Sequence, residues 1–195
     1  MTALFVWFGC RSLRYREFLT HNIWLLIVAI VVNLVCLYSL IYSRTLARKV
    51  PINFILLGIF TISESYLVSS ITIEYDPKTI LIATFLTATI VVALTIYAFT
   101  TRTDFTMMGG LLFTVLSALI MMSFLCIFFP SKIFRTIISA FSVVLFSIYL
   151  IYDTQLILGK GELQLTVDDY IFAAMNLYLD ILNIFLELLR LLGDN

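Results

Sequence analysis

Residues 22–42 read NIWLLIVAIVVNLVCLYSLIY, a run without one Lys, Arg, Asp or Glu. A bilayer's hydrocarbon core is crossed by about 20 mostly apolar residues of helix, so this run has the length and chemistry of a membrane span. Working outward from it, the charges of the chain fall at intervals that cut out five more such runs, at residues 54–73, 79–99, 105–129, 136–158 and 169–192. The breaks carry turn signals. Arg48, Lys49 and Pro51 stand before the second run, Glu74-Tyr75-Asp76-Pro77 before the third, Pro130 before the fifth and Gly159-Lys160-Gly161 before the sixth. Proline restricts the residue ahead of it and glycine tolerates the turns that other residues resist. Backbone amides in lipid must be satisfied within each segment, so runs of this length are helices rather than strands. The expectation is all-α: a polytopic membrane bundle of six transmembrane helices forming one domain, closed by Gly193-Asp194-Asn195.

Composition sets the exclusions. Of 195 residues, 62% are hydrophobic and 12% charged, whereas a soluble domain carries roughly 45–50% apolar and about 25% charged residues. Too little polar surface exists to cover a water-exposed globule, which excludes a cytosolic enzyme and makes the lipid bilayer the first partner. The formal net charge is zero and no Lys/Arg run is long enough to grip phosphates, so nucleic acid is not a partner. Cys10, Cys36 and Cys126 are widely spaced, the last two inside apolar runs where cysteine behaves as a small hydrophobe. Met107, Met108, Met121 and Met122 read as packing, having no Cys or His at ligand spacing. His21 reads as interfacial, and Gly109-Gly110 as a point of close helix approach. Ala3 to Gly9 is too short for a secretory signal, which leaves targeting to the first complete span. Lys and Arg divide almost evenly between the two sides of the membrane, so charge alone sets no orientation.

The intramembrane acids carry the chemistry. An ionisable group deep in a span costs several kcal/mol on insertion scales and marks a functional site by default. Glu64, Asp153 and Asp180 qualify. Asp153 lies near the carboxyl end of the fifth helix and Asp180 about halfway along the sixth; the two helices are consecutive and antiparallel, which allows the carboxyls to face each other. Asp169, Ala173, Asn176, Asp180, Asn183, Glu187 and Arg190 recur at steps of four and three, one stripe of the sixth helix. Arg135, Ser139, Ser142, Phe146, Tyr149 and Asp153 follow the same rhythm on the fifth, and Thr61, Glu64, Ser65, Val68 and Thr72 a looser one on the second. Small and polar residues glue helices together in any membrane protein, and Ser139, Ser142, Ala173 and Asn176 all fit that role. A carboxylate is different, because glue requires only Asn or Ser. Two facing carboxyls in a low dielectric cannot both ionise cheaply, so they should hold one shared proton, and the same pair is a hard-oxygen site for Ca²⁺. Asn176, Asn183 and Tyr149 stand beside it as hydrogen-bonding neighbours, the two asparagines orienting Asp180. Thr166, three residues ahead of Asp169, forms a capping box that starts the sixth helix near Val167.

Paired aspartates on neighbouring helices also occur in intramembrane aspartyl proteases, and Tyr152-Asp153 matches their first motif. Their Gly-x-Gly-Asp is missing, since Asp180 follows Asn176-Leu177-Tyr178-Leu179, and no Pro-Ala-Leu comes after it. No enzyme activity is expected.

A closer likeness covers nearly the whole chain. Ile151-Tyr152-Asp153-Thr154-Gln155, Tyr170-Ile171-Phe172-Ala173-Ala174 and Leu177-Tyr178-Leu179-Asp180-Ile181-Leu182-Asn183, with Arg48-Lys49-Val50-Pro51 and Thr103-Asp104-Phe105-Thr106 upstream, resemble the transmembrane Bax-inhibitor-motif family, its lifeguard branch in particular. The resemblance implies a protein that leaks Ca²⁺ from an intracellular store in a pH-dependent way and restrains cell death. It implies that the aspartates matching Asp153 and Asp180 form a proton-sharing gate, that the acid matching Glu64 lines the path, and that the loop at residues 44–53 is cytosolic. The membrane would be endoplasmic reticulum or Golgi, with the mitochondrial inner membrane home to one branch, and no cofactor is implied beyond Ca²⁺ as permeant or bound ion. The family has seven helices, of which the first is absent here and residues 4–22 resemble its tail. The arginine that latches one aspartate in some members has no counterpart between Phe54 and Ile73. A missing helix keeps open a different class of role, a non-transporting accessory or scaffold subunit assembled with other membrane proteins.

Overall fold

In the computed structural model, which describes residues 1–193 (the side chains of Arg44 and Val167 excepted), every long element is a helix. The terminal Asp194 and Asn195 lie outside the described residues. Among those described, the order is α1 (Thr2–Arg11), α2 (Leu13–His21), α3 (Ile23–Tyr42), α4 (Arg44–Arg48), α5 (Ile52–Thr72), α6 (Pro77–Thr100), α7 (Gly109–Phe128), α8 (Lys132–Leu158) and α9 (Tyr170–Gly193). Six of them, α3 and α5 to α9, are long and apolar enough to cross a membrane. Large apolar side chains on these helices face outward, Trp24, Leu81 and Phe113 among them. A soluble protein does not leave such a surface to water.

The boundaries depart from the sequence reading where charge is tolerated inside a helix. α8 begins at Lys132 rather than Thr136, because Lys and Arg at a span's end keep their head groups at the interface. The capping box leads not straight into α-helix but into a 3₁₀ turn over Val167–Asp169, and α9 proper starts at Tyr170. Residues 4–22 form α1 and α2, broken at Ser12, whose hydroxyl caps α2 by accepting from the Tyr15 amide at 3.3 Å.

The chain forms two compact units. The first takes residues 1–77 with Asp168–Phe172, and the second takes Lys78–Val167 with Ala173 onward. In the first, α1 and α3 pack on α5. α5 presents Ser65, Ser69 and Thr72, all fully buried, and small residues let helix backbones approach in lipid. Ser69 donates to the Phe5 carbonyl at 3.0 Å, and Thr2 and Ser65 share a hydroxyl bond of 3.0 Å. Gly9 completes the contact, since a Cβ there would lie 3.1 Å from Ile73 and 3.2 Å from Ser69. Arg16 reaches the Ile73 carbonyl and satisfies one of the acceptors that a helix end leaves open. In the second unit, Leu112 and Leu119 of α7 pack on Ile138 and Leu145 of α8. Gly109 lies against Tyr152, whose hydroxyl would be 2.8 Å from an added Cβ, whereas Gly110 faces open space. Close approach therefore belongs to the first of the two glycines.

Candidate functional site

The last two turns of α8 are its most buried part. Leu150, Ile151, Asp153, Thr154, Gln155 and Leu156 are all buried, and the helix stops where Gly159 takes a left-handed backbone conformation at φ 61°. From α9, Met175 and Ile184 are fully buried one to two turns either side of Asp180. Apolar packing of this kind fixes the facing stripe, and the stripe carries the acids.

Asp153 and Asp180 meet there. Each is 6% exposed, and their carboxyls are hydrogen-bonded to one another. Such a bond needs a hydrogen on one of the two acids, because a pair of ionised carboxylates has only acceptors to offer. Asn176, one turn before Asp180 on α9, lies within hydrogen-bonding reach of the Asp153 carboxyl. The stripe of α9 predicts that Asn176 orients Asp180; residues four apart on one helix project side by side, so its amide reaches instead the partner that lies opposite both. Asn183 does not join the site, since its Nδ2 donates to the Leu179 carbonyl of its own helix at 2.8 Å. The Tyr149 hydroxyl lies within electrostatic reach of both carboxyls, with its ring edge-on to Tyr152 at 6.4 Å. Asp180 Oδ2 is buried with no hydrogen-bond partner.

Among the described residues no three His, Cys, Asp or Glu side chains come together. A Ca²⁺ ion takes six to eight oxygens, more than the two carboxyls of Asp153 and Asp180 supply by themselves.

Glu64 belongs to the first unit. Its Oε2 accepts from Asn33 Nδ2 of α3 at 2.7 Å, and the same amide lies 3.4 Å from Ser63 Oγ. Asn33, 8% exposed, is a partner that the stripes of polar residues do not point to. Its signal was present, as the one amide inside the apolar run of residues 23–42. The same unit holds an ion pair between the Arg48 guanidinium and Asp169, with two further nitrogen-to-oxygen bonds of 2.9 and 3.0 Å, and a 3.0 Å bond from Asn53 to the Tyr170 hydroxyl.

Residues 1–195 match the family described as "Inhibitor of apoptosis-promoting Bax1". The chain is 36% identical over 192 residues to the Golgi anti-apoptotic protein of Vaccinia virus (strain Lister), covering 98% of this chain and 76% of that one. It is 34% identical over 192 residues to mouse (Mus musculus) Protein lifeguard 4, with the same coverage of 98% and 76%. Against mouse Protein lifeguard 3 the identity is 32% over 183 residues, 91% of this chain and 59% of that one.

Proposed function

The chain belongs to the family of inhibitors of apoptosis-promoting Bax1, and from that premise we propose that it is a pH-sensitive Ca²⁺ leak pathway of an intracellular membrane that restrains cell death. The observation that carries this reading is the buried, mutually hydrogen-bonded carboxyl pair of Asp153 and Asp180. Two ionised carboxylates about 4 Å apart repel by about 4 kcal/mol at an effective dielectric of 20. One shared hydrogen removes that repulsion and ties α8 to α9. A divalent cation relieves it equally well, so proton and Ca²⁺ compete for the same place.

The sign follows. At low pH the proton stays and the tie is closed to cations; as pH rises the proton leaves, the pair carries two negative charges, and Ca²⁺ enters in the proton's place, each departing ion leaving the pair charged for the next. Leak therefore increases with pH. Asp153 has the Asn176 amide beside it whereas Asp180 Oδ2 has no partner, so Asp153 is the better-served acceptor and the shared hydrogen is placed on Asp180. Glu64, held by Asn33, serves as a further cation ligand along the path. The name of one relative, the Golgi anti-apoptotic protein, supports an intracellular membrane and a role in restraining cell death.

The test is Ca²⁺ efflux from liposomes holding the purified protein, across about pH 5 to 8, for wild type, Asp153→Asn and Asp180→Asn. The reading expects a leak that grows with pH in wild type and loses its pH dependence in both variants. A wild type no leakier than empty vesicles ends it.

A further inference from the structure

The buried end of α8 is held from a second side. Gln155, 2% exposed, sits two residues beyond Asp153 and therefore roughly opposite it on the helix. Its amide is used at both ends: Nε2 donates to the Thr103 carbonyl at 2.9 Å, and Oε1 accepts from the Phe105 amide at 2.8 Å. The 101–106 loop that receives it is itself stitched to the loop after α8. Asp104 accepts from the Thr106 amide at 2.8 Å, the Thr106 hydroxyl at 2.6 Å and the Glu162 amide at 3.0 Å. The Leu163 amide reaches Thr106 Oγ1 at 3.4 Å, and Lys160 Nζ bonds the Phe99 carbonyl. Gly161 runs so close to Asp104 and Thr106 that no Cβ fits there.

A helix is stiff over two residues, so fixing Gln155 fixes the rotation and height of Asp153. A glutamine needed only for polarity would not have both ends of its amide matched to backbone groups two residues apart in a loop. We infer that Gln155 is the positioning residue of the carboxyl pair: its clasp on the backbone at Thr103 and Phe105 sets the rotation of α8 that brings Asp153 against Asp180. The inference deepens the proposed gate and takes its importance for Ca²⁺ flux from that reading, but the geometry it asserts is testable without flux.

The experiment is disulfide trapping between Asp153→Cys and Asp180→Cys, with Cys10, Cys36 and Cys126 replaced by alanine, in protein reconstituted in lipid and oxidised with copper phenanthroline. The pair cross-links readily with Gln155 present. Gln155→Met, similar in length and unable to hydrogen-bond, slows trapping by about tenfold or more, because a disulfide forms only within narrow geometric limits. Gln155→Glu, which keeps the acceptor for Phe105 and loses the donor to Thr103, recovers part of the rate, a rescue that general destabilisation does not produce. Helix content and thermal midpoint are measured alongside, and if Gln155→Met does not fold, Gln155→Glu carries the test by trapping more slowly than the Gln155 parent. An unchanged rate in either folded variant overturns the inference. Loss of liposome efflux in wild type, with trapping still dependent on Gln155, overturns the gate and leaves the positioning role standing.

Discussion

The two aspartates are not equivalent, and isosteric substitution separates them. Asp153 receives two hydrogen bonds, from Asn176 and from Asp180, whereas Asp180 has one oxygen engaged and Oδ2 buried without a partner. In Asp180→Asn the new amide N–H donates to Asp153 where the shared hydrogen did, and the remaining oxygen is no worse placed than Oδ2 was. The expected cost is within about 1 kcal/mol of zero. In Asp153→Asn the acceptor facing Asn176 becomes neutral, which reduces a charge-assisted bond of about 1.5–3 kcal/mol to an ordinary one of about 1 kcal/mol, and Asp180 keeps an ionisable carboxyl with no charged partner. The sum is about 1–3 kcal/mol of destabilisation, which for a chain of this size lowers the thermal midpoint by roughly 2–12 °C. Thermal unfolding of the two variants in the same lipid nanodiscs at neutral pH, followed by circular dichroism, measures the difference. Equal losses, or a larger loss for Asp180→Asn, would refute the assignment of the hydrogen to Asp180.

Three other outcomes are expected. Asn33→Leu leaves Glu64 Oε2 without its 2.7 Å donor and costs about 1.5–3 kcal/mol; a double-mutant cycle with Glu64→Met, which removes the acceptor, should by thermal unfolding show most of that as coupling, and additive effects would mean the bond contributes nothing. Gly161→Ala forces Asp104 and Thr106 aside, an overpacking of about 1–3 kcal/mol, read as faster proteolysis in the 159–166 loop; unaltered cleavage contradicts the close packing. The three donors on Asp104, the Thr106 hydroxyl first, hold its carboxyl below the usual carboxylate range. Its stabilising effect on the loop is thus complete above the ordinary aspartate value and is lost as pH falls through the lowered one. Amide hydrogen exchange at Glu162, corrected for its intrinsic rate, should quicken across that acidic window in wild type and show no such step in Asp104→Asn.

Much of this architecture is legible in the sequence, because lipid leaves a chain few options. The apolar run of residues 23–42 has one solution, and the four-and-three rhythm ending in Asp180 announces an inward face whichever helix it meets. What escapes is information about partners. Asn176 and Asn183 look alike on the stripe, yet one bonds across to α8 and the other turns back on Leu179, a choice made by the neighbouring helix. Asn33 and Glu64 lie 31 residues apart, and no local pattern pairs them. Gln155 sits among buried apolar neighbours and reads as an ordinary polar residue near a helix end. Its meaning comes from backbone groups in a loop some 50 residues earlier. Helix ends are blurred for another reason: Lys132 and Arg135 mark an interface, and an interface is not where hydrogen bonding stops.

The length of α8 has a consequence of its own. Its 27 residues measure about 40 Å, against a hydrocarbon thickness of about 30 Å. The surplus is taken up by leaning or by overhang, and Asp153 sits only five residues short of the helix's carboxyl end, a distance of about 7–8 Å along the axis. That depth is comparable with the few ångströms by which cellular membranes differ. A thin bilayer leaves the two acids near the wet headgroups, and a thick, sterol-rich one draws them under its oil. Membrane thickness thus sets how far the carboxyl pair of this long helix sits from water.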